Sequence, residues 1–205
     1  MPDTPSPKQL ARQAERELKA AANVLAARQA KTYFKPDEEV RIFGVDTPAQ
    51  RRIAGALFQR VRGAWAIDDA LVFCETLIKR REMELKNVGI FILARRQQSF
   101  DKSLLRNVES WLANDHCANW AATDALCGEV LGPLIRQHPD LTAKLKTWTG
   151  KRNLWLREAG KPDPARLENF LLNHGPKIPR TTLRYAIERF PPEKRKMLLE
   201  KTKGE

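Results

Sequence analysis

The sequence predicts an all-α fold, an α-solenoid of degenerate HEAT-like helix pairs, and three observations lead there. Leu and Ala dominate the apolar residues while Val and Ile are sparse. Straight-chain residues and Ala keep their rotamer freedom in a helix, whereas strands favour β-branched side chains. No stretch sustains the apolar–polar alternation of a half-buried strand. Gly and Pro punctuate the chain roughly every 10 to 20 residues, which sets a helix-turn-helix beat of about 35 to 45 residues. Short connections between such helices leave a compact helical bundle as the alternative. A curved solenoid would present a long concave surface to an extended ligand.

Taken in order, residues 1–6 are expected to be a disordered tail, 7–201 one helical-repeat domain and 202–205 a loose end. Pro7 to Lys31 reads as one long helix, with Leu10, Ala14, Leu18, Ala21 and Leu25 spaced by three and four on its inner face. Pro36, the acidic run Asp37 to Glu39 and Gly44 interrupt the helical pattern between Tyr33 and Asp46. Thr47 is then expected to cap the next helix, with Pro48 at its first position, where the missing N–H costs nothing. That helix runs to about Gln59 and turns Ile53, Ala56 and Leu57 inward. Trp65 to Arg80, Glu84 to Gln97, Ser103 to Ala113 and Ala118 to Gln137 read as four more helices. Pro133 should kink or shorten the last, because its ring blocks the ladder. Pro139 and Asp140 open a helix to about Thr147, Gly150 closes it, and Asn153 caps a short helix carrying Trp155. Ala165 to Asn173, Thr181 to Arg189 and Pro192 to Lys201 complete the set.

The chain has 205 residues, 42% of them hydrophobic and 30% charged, enough for one domain with a sizeable core. Its 37 Lys and Arg against 25 Asp and Glu give a net charge of +12, a surface field that attracts polyanions such as nucleic acid. No apolar run approaches the roughly 20 residues of a membrane span. The opening MPDTPSPKQLARQAERELK also lacks the apolar stretch of a signal peptide, so a cytoplasmic location is expected. Cys74, Cys117 and Cys127 show neither CxxC nor Cys/His ligand spacing, so reduced thiols are expected, with no disulfide framework and no metal site.

Few motifs carry chemistry. There is no Gly-rich phosphate loop, no His pair at metal spacing and no GxSxG elbow. His116, His138 and His174 lie beside loops or caps, where surface or capping roles are the ordinary ones. Basic residues gather at helix ends, as Arg51 and Arg52, Arg95 and Arg96, Lys151 and Arg152, and Arg180 with Arg184. Recurrent positions at helix ends can line one edge of a solenoid and follow a phosphate backbone. For any one pair, a solvated surface explains the charges as well. The sharpest local signal is Asn119-Trp120-Ala121-Ala122-Thr123-Asp124, because a four-residue helical step puts the indole and the carboxylate on one face.

Five blocks, in order, resemble the AlkD-like DNA alkylation repair glycosylases, which are built from HEAT-like repeats. They are Tyr33-Phe34-Lys35 leading to Phe43-Gly44-Val45-Asp46-Thr47-Pro48-x-x-Arg51, then Glu84 to Leu93, Asn119-Trp120-x-x-x-Asp124, Asn153-Leu154-Trp155-Leu156-Arg157, and Arg180 to Arg189. Together they run from about residue 33 to 190. The resemblance implies excision of alkylated, cationic purines from double-stranded DNA, without metal or organic cofactor, by a monomer. It implies Asp124 as the electrostatic catalyst, Trp120 as an aromatic wall and Tyr185 as a second wall where the family usually carries Trp. It also implies a basic residue two places beyond Leu156, where this chain has Glu158 after Arg157. Arg157 is therefore expected to turn inward as the phosphate clamp.

The leading expectation is thus a glycosylase. A catalytically silent relative that grips nucleic acid through the same basic face is the second reading, and a protein-interaction scaffold is the third. Release of free methylated base separates the first from the second, and steep salt dependence separates both from the third.

Overall fold

The computed structural model describes residues 4–34, 40–160, 184, 187 and 190–202. Among them the chain is all-α. No strand forms, and the nearest thing to one is an isolated bridge between Arg41 and Glu82. The chain divides into two compact units, Met1–Gly160 and Lys161–Glu205.

In the first unit α1 (Pro7–Ala20) starts from Ser6, whose hydroxyl accepts from the Gln9 N–H while the Gln9 side chain accepts from the Ser6 N–H. This reciprocal arrangement satisfies two of the donors that every helix start leaves unpaired. Just before it, the Pro5 carbonyl accepts from the buried Trp65 indole at 3.1 Å. The single helix expected from Pro7 to Lys31 is in fact two. It breaks at Ala21, and α2 (Val24–Lys31) begins on Asn23, whose side chain accepts from the Ala26 N–H. A long-range bond explains the break, because the Asn23 N–H donates to the Phe43 carbonyl instead of continuing the ladder. Leu25, expected inward, is 71% exposed, and α2 contributes no buried residue.

Helix α3 (Thr47–Gln59) is capped one residue earlier than expected, by Asp46, whose carboxylate accepts from the Ala49 N–H at 2.7 Å. It turns Ala54, Leu57 and Phe58 into the core, and Ala56 is exposed rather than inward. Helices α4 (Ile67–Ile78) and α5 (Met83–Ala94) pack along each other. Nearly every residue of α5 is buried, and it also touches α1 and α3, which makes it the axis of the unit. Its buried polar residues, Glu84, Lys86 and Asn87, find partners within the core.

Helix α6 (Leu104–Ala113) follows a 3-10 turn. The segment expected as one helix from Ala118 to Gln137 runs without a break through α7 (Trp120–Leu126), a π turn (Cys127–Leu131) and α8 (Gly132–Gln137). Around Pro133 the helix changes register. The proline nitrogen cannot donate to Glu129, and the Gly132 N–H reaches five residues back to the Cys127 carbonyl. After a 3-10 turn at Pro139–Leu141 come α9 (Thr142–Trp148) and α10 (Leu154–Ala159), the latter capped by Asn153 as expected. In the second unit α11 (Pro192–Lys201) buries Leu198 against Ile187 and Phe190. The helices expected over Ala165 to Asn173 and Thr181 to Arg189 lie largely outside the described residues.

Candidate nucleic-acid-processing site

The site is built on the first turn of α7. Asn119, itself buried, caps this helix by accepting from the Ala122 N–H at 2.9 Å, so Trp120 stands at the first helical position. One turn on, Asp124 is exposed on the same face. Trp120 is 48% exposed although it is a large aromatic. Phe34, just beyond α2, stacks on it with ring centroids 5.6 Å apart and planes inclined by 23°. An offset stack of this kind fixes the indole while leaving part of its surface open.

Buried polar contacts hold the start of α7 in place. Lys86 of α5 is only 8% exposed, and its ammonium donates at 2.7 Å to the carbonyls of Ile78, at the end of α4, and of His116. Burial pushes the Lys86 ammonium below its ordinary range, while the C-terminal dipole of α4 favours the charge. Beside it the Cys117 carbonyl accepts from the Thr123 hydroxyl at 2.8 Å, and burial pushes the Cys117 thiol up to about 12. Lys86 and Thr123 thus tie the loop before α7 to α4, α5 and α7 itself. Cys74 and Cys117 are buried free thiols, and Cys127 is half-buried. Among the described residues no group of three or more His, Cys, Asp or Glu is placed to hold a metal ion.

The basic residues singled out from the sequence fall into distinct settings. Arg51 lies 2.6 Å from Glu129 of the π turn, with its guanidinium 4.2 Å from the centroid of the Phe91 ring. Arg95 and Arg96 lie over the Phe58 ring, and Arg96 also donates to the Arg62 carbonyl. Arg52, Lys151 and Arg152 are exposed and form no ion pair with the described acids. Arg157 folds back, donating to the carbonyls of Lys151 and Arg152 at 3.1 and 2.6 Å, and Glu158 beside it is exposed. Arg184 is exposed in the second unit, and Tyr185 and Arg180 lie outside the described residues.

Three residues in contact with the site or its supports escaped the sequence reading. Phe34 and Lys86 fall inside blocks that carry the resemblance but received no role of their own, and Glu129 sits 78 positions from the Arg51 it meets. Pairings so distant leave no local signal.

A family model described as DNA alkylation repair enzyme matches residues 14–160 and 153–190. The chain belongs to the DNA alkylation repair enzyme family. No curated protein matches it significantly. The family match spans the blocks that carry Trp120 and Asp124, and it places the protein among DNA repair enzymes, with DNA as the implied partner. No helix among the described residues is long and apolar enough to cross a membrane.

Proposed function

We propose that the protein is a DNA glycosylase that hydrolyses the N-glycosidic bond of purines alkylated at N3 or N7 in duplex DNA. The observation that carries the reading is an exposed indole, braced by Phe34, beside an exposed carboxylate one helical turn away, in a chain of this family. An alkylated purine is already cationic, so it departs as a neutral base, taking the electron pair of the glycosidic bond. Positive charge then develops on the deoxyribose. The carboxylate of Asp124 stabilises that charge and orients the water whose oxygen bonds to the anomeric carbon while its proton passes to the solvent. The indole of Trp120 attracts the cationic nucleotide by cation–π interaction, worth about 0.5 to 2 kcal/mol. Arg52, Lys151 and Arg152 contribute phosphate contacts. The chemistry requires neither metal nor organic cofactor, and the protein acts as a monomer in the cytoplasm.

The deciding experiment measures free base released from a duplex containing N7-methylguanine. The parent protein releases it, and Asp124→Asn cuts the rate by on the order of a hundredfold, the size expected for losing one preorganised charge, with duplex affinity nearly unchanged. Equal release by both proteins, or none by the parent, overturns the reading.

A silent binder is the second reading, and one observation favours it. The resemblance calls for a basic residue where Glu158 stands, and Arg157 is occupied with the carbonyls of Lys151 and Arg152. If Glu158 repels phosphate at the site, Glu158→Arg tightens binding and Arg157→Ala leaves it unchanged. If Arg157 leaves those carbonyls to clamp DNA, the results are reversed.

A further inference from the structure

We propose that Arg51 and Glu129 form a positioning pair that locks the π turn behind Asp124, a role that rests on the glycosylase reading and replaces phosphate binding as the work of Arg51. Two contacts hold the Arg51 guanidinium. The Glu129 carboxylate lies 2.6 Å from its terminal nitrogen, and the ring of the buried Phe91 lies 4.2 Å away. These contacts reach three elements, because Arg51 belongs to α3, Phe91 to α5 and Glu129 to the middle of the π turn. An arginine already matched to a carboxylate and seated on a ring gains less from a phosphate than a free one does.

The π turn needs such a tether. Pro133 deprives Glu129 of the ordinary helical donor, and the wider register that results brings the Gly132 N–H to the Cys127 carbonyl. A Cβ at position 132 would stand 3.1 Å from that carbonyl, so the close approach uses a residue without one. Such one-turn irregularities recur at functional sites, where they re-aim side chains. This one begins three residues after Asp124, so the way the turn is held bears on where the α7 carboxylate stands relative to α3 and α5. Glu129 is the residue by which the turn is anchored across to α3.

The test uses the full chain with Arg51→Met, Glu129→Gln and the reciprocal Arg51→Glu/Glu129→Arg protein. Three quantities are read, namely amide hydrogen exchange over residues 127–133, the salt dependence of duplex binding, and single-turnover release of N7-methylguanine. Each single variant is expected to speed exchange in the π turn about tenfold and to slow base release about tenfold. The slope of duplex affinity with salt should stay at the parent value. The reciprocal variant should recover most of the exchange protection and part of the rate. A phosphate ligand behaves differently, since Arg51→Met would then lower the salt slope by about 0.9 and Glu129→Gln would tighten binding, both of which sink the proposal. Unchanged exchange in both single variants sinks it too. If the parent releases no base while exchange responds and recovers as described, the lock stands and the glycosylase reading alone is lost.

Discussion

Asp115 shows how one residue can serve two elements. It ends α6 in the left-handed region, at φ 58°, where the His116 N–H reaches back to the Trp111 carbonyl, and its carboxylate accepts from the Asn153 side chain at 2.9 Å. Asp tolerates this backbone better than most residues with a Cβ. Asp115→Ala, which loses both that tolerance and the bond, is expected to lower stability by about 1 to 2 kcal/mol, read as a fall in the urea midpoint at constant m. Asp115→Gly, which relieves the backbone, should cost less. At Gly44, with φ 82°, a Cβ would run into the Asn23 carbonyl and the Ala27 nitrogen. Gly44→Ala is therefore expected to loosen α2, with a stability loss of order 1 to 3 kcal/mol by the same measurement. Glu15 is the residue with a pH signature. Its bidentate bond to Arg80, at 2.8 and 2.9 Å, and then Lys19, hold its carboxyl down from 4.5 to about 2. Between those values the unfolded chain binds the proton and the folded one does not, so stability falls as pH drops through that window. Glu15→Gln should flatten the curve there and be less stable at neutral pH, which acid titration of unfolding would show.

At the scale of elements, caps decide where helices begin and therefore where the site stands. Asn119 starts α7 and Asn153 starts α10, and Asn153 both accepts from Trp155 and Leu156 N–H groups and donates to Asp115. Loss of a single cap costs typically about 1 kcal/mol. Asn119→Ala is expected to cost about that in stability, and because Trp120 is the next residue it should also weaken the Phe34 stack, visible as a change in tryptophan fluorescence. In a Trp155→Phe background, which removes the indole that Asn153 itself caps, Asn153→Ala should leave the Trp120 signal unchanged. The contrast is sharp because both caps have the same chemistry and only Asn119 adjoins Trp120. Helix α2 illustrates the opposite case, in which an element has no buried face. A helix of eight residues is marginal on its own, and α2 is held by the Asn23 bond to Phe43 and the close approach at Gly44.

For the molecule as a whole, a net charge of +12 is expected to make duplex binding strongly dependent on salt. Each phosphate contact contributes about 0.9 to the slope of log affinity against log salt. Neutral substitution of Arg52, Lys151 or Arg152 should each reduce the slope by about that amount without altering which base is released. Binding indifferent to salt between roughly 50 and 200 mM would remove the electrostatic account of DNA recognition altogether.

What could be read from the sequence was local. The helical class followed from Leu and Ala in place of β-branched residues, α11 from the Pro192 start, α10 from Asn153, and the shared face of Trp120 and Asp124 from a four-residue step. These depend on neighbours within one or two turns, where backbone geometry alone sets who faces whom. Tertiary structure decided the rest. It cut the first helix at Ala21 through a bond to Phe43, placed Phe34 on Trp120, buried the Lys86 ammonium between two carbonyls, and set Arg51 against the Glu129 carboxylate. Each of these outcomes joins residues far apart in the chain, and a contact across such a distance has no periodicity or spacing to announce it. It exists only once the packed helices have brought the two partners together.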